Sequence, residues 1–335
     1  MNFFQILSEI EKVDPEVYER LDSRRRVFKH MSGVGQKLAA AALPMFVGSV
    51  LNKAYAQTNS GLAVQDVLNF ALKLEYLEMY FYQQRTGLQN ISVNNMAALA
   101  TIASDELNHV NFLKTAIGGI SGAVVFSDPT VNAYDFSGGK GTGAGPFSDW
   151  KSNPATYLAL AESLEDTGVR AYKGAAPLTS VMANKTVLTA ALNIHSIEAR
   201  HASHIRAMRR AGASNNTPSQ GVPASPYDAK PKSWISGTDN GGAAAMYTAP
   251  VYGAGNDTGT ATYGASNQTG SAAGVTFVAE SNITQGGVAL SSTTLPNTAN
   301  FPASAFSEAF DEGLDVGTVS AIAKTFVVAG NTMFG

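Results

Sequence analysis

Two segments of the chain carry the same four-residue pattern, Glu106-Leu107-Asn108-His109 and Glu198-Ala199-Arg200-His201. On a helix, a three-residue step leaves the Glu and the His adjacent on one face, one turn apart, so both can reach one cation. Before each lies an apolar stretch that carries acids: Glu75 and Glu78 within residues 70–82, and Glu162 and Glu165 within residues 158–165. A carboxylate on the inner face of a helix is costly unless it is paired, and a cation is the obvious partner for several at once. The order is therefore Glu, Glu-x-x-His, Glu, Glu-x-x-His. Glu75 precedes Tyr82 by seven residues and Glu165 precedes Tyr172 by the same step, which is nearly two full turns. That shared register selects Glu75, Glu106, His109, Glu165, Glu198 and His201 as the candidate metal ligands. Taken singly, each of these residues reads as ordinary helix surface; the argument rests on the set.

The elements that must position them are four helices. Apolar residues from Val64 to Tyr82 repeat at spacings of three and four, and predict a first helix over 64–85 closed by Gly87. Ser92 caps a second, which Gly118-Gly119 stops; Asn153-Pro154 opens a third, running to about Ala175. A fourth runs from about Met182 to Arg210, with three arginines near its negative end. The first and last pairs have short connections, whereas residues 118–153 form one long link. Such a link can run back along a helix about 33 Å long and leave the second and third helices parallel.

The arrangement resembles the ferritin-like superfamily of dimetal carboxylate proteins, and in particular its exported, desiccation-associated branch, with ligand motifs similar to those of bacterioferritin and rubrerythrin. The resemblance implies a mainly α ferritin-like four-helix bundle with one long crossover between its second and third helices. It also implies two metal ions, bridged by Glu106 and Glu198, with Glu75 and Glu165 terminal and His109 and His201 on one ion each. Glu162 is an alternate ligand by analogy with rubrerythrin, and Glu78 falls on a polar face or just outside the ligands. Asp105 matches the bacterioferritin position that orients the opposing histidine, here His201; the corresponding residue on the fourth helix is Ile197, which cannot do so. His195 and His204 flank the fourth-helix motif but drift off its face, and read as surface or hydrogen-bonded histidines. Tyr82 and Tyr172 are the candidate catalytic side chains, for a radical or electron-transfer role, with core packing the plainer reading.

Composition narrows the chemistry. Lys plus Arg number 23 against 26 Asp plus Glu, too even for a nucleic-acid partner held by a basic surface. There is no cysteine, which excludes disulfides, thiol catalysis and cysteine-held clusters, and also the attached rubredoxin donor of many rubrerythrins. Oxygen and imidazole donors without sulfur suit iron, with manganese or zinc able to use the same atoms.

Outside the bundle, residues 1–56 read as an export signal of twin-arginine type. Ser23-Arg24-Arg25-Arg26-Val27-Phe28-Lys29 precedes the uncharged run Leu38–Leu51, and Ala54-Tyr55-Ala56 offers a cleavage site. A run this short, with Pro44 inside it, falls below the roughly 20 apolar residues a permanent membrane helix needs. The alternative is a basic linker before an alanine-rich core helix. Export implies a periplasmic or extracellular protein whose bundle is residues 57–212. Residues 213–335 form an extension in which 213–300 hold six charged residues amid Gly, Thr and Asn. It is expected to be mostly loop, with short strands at 275–278 and 288–290 and a return to helix over about 303–328 that packs on the body.

The expected function is oxidation of Fe(II), or reduction of oxygen or peroxide, in stress protection. The rival is a non-catalytic exported scaffold whose extension, residues 213–335, meets cell-surface material or further copies of the chain as a homo-oligomer.

Overall fold

The computed structural model describes residues 63–216, 231–239, 242–243, 245–255, 261–263, 268–270, 277–291 and 301–335. The leader read over residues 1–56 lies outside them, as do residues 275 and 276 of one expected strand. Helix α1 (Val64–Gln83) packs against α2 (Val93–Gly118), and α3 (Pro154–Ala175) against α5 (Lys185–Ala211), with the single turn α4 (Thr179–Met182) between the latter two. Side-chain caps set three of the starts: Ser92 accepts from the Asn95 amide at 3.1 Å, Asn153 from Ala155 at 3.0 Å and Asn184 from Val187 at 3.1 Å. The last of these corrects the expected start near Met182. Asn184 restarts the helix after a break, so Thr179–Met182 stands alone.

The crossover is tied to α1 along its length. Asn69 donates to the Val124 carbonyl at 2.9 Å and accepts from the Phe126 amide at 2.7 Å, and the Tyr80 hydroxyl donates to Asp128 at 2.6 Å. Further along the crossover, Phe136 and Trp150 join Phe81 and Tyr157 in an aromatic cluster with ring centroids 4.5–5.7 Å apart. That cluster closes the end of the bundle where α1 finishes and α3 begins.

The extension holds the turn α6 (Ala245–Thr248), two small antiparallel hairpins, and the short helices α7 (Ser304–Ser307) and α8 (Val316–Lys324). The hairpins pair β1 (Ala261–Tyr263) with β2 (Gln268–Gly270) and β3 (Thr284–Gln285) with β4 (Val288–Ala289). The strand expected at 288–290 is thus present over its first two residues, whereas Phe277 and Val278 are not in a strand. The helical return expected over 303–328 is broken, and the reason is local. The chain crosses α3 at Gly174, where a Cβ would lie 2.0 Å from the Leu314 carbonyl oxygen. There the Leu314 amide donates to the Arg170 carbonyl at 2.9 Å, and Asp315 caps α8 by accepting from Thr318 at 2.9 Å.

Arg170 fastens this extension to the bundle. Its guanidinium, fully buried on α3, donates to the carbonyls of Val251, Gly253, Val278 and Glu312 and pairs with Glu280 at 2.9 Å. A buried guanidinium needs all five donors satisfied, and the partners come from three separate stretches of the extension. Among the described residues, no helix is long and apolar enough to cross a membrane.

Candidate metal centre

Helices α1 and α3 run antiparallel, and two crossed hydrogen bonds record it. The Tyr82 hydroxyl donates to Glu165, and the Tyr172 hydroxyl donates to Glu75. Each tyrosine therefore reaches the acid of the opposite helix, not the one in its own register. Both phenols are buried, and burial followed by the neighbouring carboxylate holds their pKa well above the ordinary tyrosine value. They stay protonated and act as donors.

The six selected side chains converge. Glu75, Glu106, His109 and Glu198 offer ligand atoms that all lie within 4.8 Å of one another, and so do Glu106, Glu165, Glu198 and His201. Glu106 and Glu198 belong to both groups. His109 Nδ1 lies 3.0 Å from Glu106, 3.2 Å from Glu75 and 3.3 Å from Glu198. His201 Nδ1 lies 2.9 Å from Glu106, 3.3 Å from Glu165 and 3.8 Å from Glu198. All four glutamates are fully buried.

The two halves differ at the outer histidine nitrogens. His201 Nε2 lies 3.2 Å from Asp105 Oδ2, a carboxylate placed to keep the Nε2 proton if Nδ1 gives up its own proton to bind a cation. On α5 the equivalent of Asp105 is Ile197, and among the described residues His109, with 12% of its side chain exposed, has no carboxylate in that role.

Burying four carboxylates with two imidazoles strains the electrostatics of the protein on its own. Burial pushes Glu75 up to about 8 and Glu165 well above the carboxylate range. It would also raise Glu198, but the two imidazoles beside it hold that acid down at about 2. Burial depresses His109 and His201, yet the surrounding carboxylates outweigh it and drive both well above the ordinary imidazole value. Even so, among the described residues Glu106 Oε1, Glu165 Oε2 and both Glu198 oxygens have no well-aligned hydrogen bond, and they share only the two imidazole nitrogens, at 2.9–3.8 Å. Orphaned acceptors facing one another are costly. Two divalent cations, one in each group, would satisfy them and balance the four charges, so the residues present fit such a pair.

Neighbouring acids fall differently from expectation. Glu162 is not turned to the ligands: it pairs with Arg209 at 2.7 Å and lies 3.5 Å from Arg206. With Asp166 and Asp239 it forms a separate buried acidic group, whose counter-charge is Arg206, with the Tyr252 hydroxyl donating to Asp166 at 2.7 Å. This corrects the reading of Glu162 as an alternate ligand. Glu78, by contrast, is buried, not on a polar face. Burial first, then Glu198, Glu106, Glu75 and Glu165, raises it well above the carboxylate range. The space it uses is opened by Gly168, where a Cβ would stand 3.3 Å from Glu198 Cγ and 3.4 Å from Glu78 Oε1. A signal for this was present in the sequence: the offset of 90 residues that relates Glu75 to Glu165 and Tyr82 to Tyr172 takes Glu78 to Gly168. His195 bonds the Val169 carbonyl at 2.9 Å, and neither it nor His204 joins a ligand group.

Residues 63–211, which contain all six converging side chains, match the family model described as a ferritin-like domain. The match supports placing this segment in the ferritin-like superfamily. No curated protein and no solved structure matches the chain.

Proposed function

We propose that this bundle holds two divalent metal ions, iron in preference to manganese or zinc, and that the protein oxidises Fe(II) or reduces oxygen or peroxide. The observation that carries the reading is that Glu106 and Glu198 belong to both ligand groups while each group has its own histidine and its own outer glutamate. That is the donor set of a carboxylate-bridged pair, with no sulfur to favour softer metals. Bound there, the ions would supply the one- and two-electron chemistry that oxygen, peroxide and Fe(II) as substrate require.

The chain's own residues do the rest. Tyr172 and Tyr82 fix the rotamers of the outer glutamates through their hydrogen bonds. Asp105 orients the His201 ring through Nε2. Glu78, raised well above the carboxylate range, holds a proton beside Glu198 and Glu106. The aromatic cluster at Phe81 keeps water from one end of the site. Ser23–Lys29 and the uncharged run after it support export to a periplasmic or extracellular setting, where such chemistry would serve stress protection.

The test is anaerobic loading of the full chain with Fe(II), then exposure to oxygen or peroxide. Two Fe(II) oxidised per chain is expected, with loss of both in the Glu106→Ala, Glu198→Ala double variant; absence of bound metal and of oxidation in the wild type overturns the proposal. The scaffold reading predicts instead that assembly and stability ignore Glu106 and His201. Arg170 bears on how that rival is tested. Because it holds Val251, Gly253 and Val278 against α3, deleting residues 213–300 would damage the bundle as well as remove a contact surface, so substitution at the ligands is the cleaner discriminator.

A further inference from the structure

At the end of the bundle opposite the aromatic cluster lies a partly open cavity of about 290 Å³. Its position relative to the candidate metal centre follows from the helix register. Ala71 is four residues before Glu75, Leu113 four after His109, Ile194 four before Glu198 and Tyr172 seven after Glu165, and all four line the cavity. Because α1 and α3, and α2 and α5, run antiparallel, these steps all lead to the same end. Four residues rise about 6 Å, so the cavity begins roughly one helical turn from the ligands, with the Tyr172 ring as shared wall. On the outer side Val316 and Val319 of α8 and Phe277 cover it.

Protein interiors keep few voids larger than a water molecule, and this one is made by small residues on all four long helices, among them Ala71, Ala116, Ala171, Ala190 and Ala191. Its polar side chains are already engaged. The Tyr172 hydroxyl is given to Glu75, Thr115 donates to the Asn111 carbonyl at 2.9 Å, and Asp315 accepts from Thr318 twice, at 2.7 and 2.9 Å. Thr186, at the exposed rim with Phe112, is the exception. Among the described residues that line it there is no cation and no uncommitted carboxylate to pair with a charged ligand.

We infer that this cavity is a binding site for an uncharged, predominantly hydrocarbon molecule, held one helical turn from the candidate metal pair. Scaled from apolar cavities of about 150 Å³ that take up benzene, the volume suits about twelve non-hydrogen atoms. The binding stands on the cavity alone; its placement next to a reactive centre rests on the proposed metal pair.

The probe is naphthalene, measured by equilibrium dialysis against the full chain and read by its own fluorescence, with benzoate as the charged control and Mn(II) titrated in parallel. Saturable binding of about one naphthalene per chain is expected, with benzoate at least tenfold weaker. Filling the cavity with Ala190→Phe and, separately, Ala191→Leu should weaken naphthalene at least tenfold while the helical circular dichroism holds. Two variants guard against one failing to fold. No saturable naphthalene binding in the wild type, or equal binding by a folded, filled variant, overturns the inference. Naphthalene bound by a chain that takes up no Mn(II) upholds the cavity and contradicts the metal reading; two Mn(II) bound without naphthalene does the reverse.

Discussion

The hydroxyl of Tyr172 donates to the carboxylate of Glu75 across the bundle, and the bond is repeated between Tyr82 and Glu165. Both phenols pack in the core, and each also hydrogen-bonds an acid. Each leaves its glutamate one oxygen directed at the ligand group. Removing partners of this kind at metal sites costs roughly 10–100-fold in affinity or activity. Tyr172→Phe and Tyr82→Phe should each weaken Mn(II) binding by about that factor, measured by anaerobic calorimetry, with the fold intact. Unchanged affinity in both variants would reduce the tyrosines to packing.

Asp105 supports one half of the site and has no counterpart at Ile197. Substituting Asp105→Ala should therefore weaken the ion nearest His201 by roughly 10–100-fold and leave the other unaffected. Calorimetry would then resolve two unequal binding steps, or widen an existing inequality. Equal weakening of both steps would contradict the assignment of Asp105 to His201 alone.

Gly168 trades helix propensity for room. An alanine there gains about 1 kcal/mol as a helix former, but its methyl would press on Glu198 Cγ and Glu78 Oε1 at 3.3 and 3.4 Å, and crowding of this kind costs about 1–3 kcal/mol. Gly168→Ala should change urea stability by no more than about 2 kcal/mol while lowering the number of Mn(II) bound per chain. A variant that is more stable and binds both ions normally would show that Glu78 and Glu198 have slack to spare.

Glu280 gives the extension a pH dependence. Burial pushes it up to about 7 even though Arg170 pairs with it. The native state takes up this proton from about pH 7 downward, whereas the unfolded chain does so only below about pH 4.3. The native form thus binds more protons in that window, and stability from this group rises as pH falls from about 7 to about 4.3, being lost again as pH rises through 7. Unfolding free energies from urea titrations across that range should rise toward acid less in Glu280→Gln than in the wild type, a difference on the order of 3 kcal/mol. Parallel curves for the two proteins would refute it.

Much of the bundle could be read directly from the chain, because its signals are local. Ser92 and Asn153 cap within three residues of themselves, and Glu-x-x-His places its own two side chains on one face. What could not be read depends on distant partners. Nothing near Glu162 announces Arg206 and Arg209, which lie more than 40 residues away and neutralise it. Glu75 and Glu78 share a face by spacing, so only the missing side chain at Gly168 shows that both can be interior. The C-terminal periodicity through Phe306 and Phe326 is real as a burial pattern, but the crossing of Leu314 over Gly174 splits the helix that it suggests.

The central claim is tested most directly by anomalous scattering at the iron and manganese edges from crystals of the metal-loaded chain. The account predicts two peaks about 3.5–4 Å apart, one among Glu75, Glu106, His109 and Glu198, the other among Glu106, Glu165, Glu198 and His201. Loaded crystals with no peak between these residues, or with the ion seated beside Glu162, Asp166 and Asp239 instead, would contradict it.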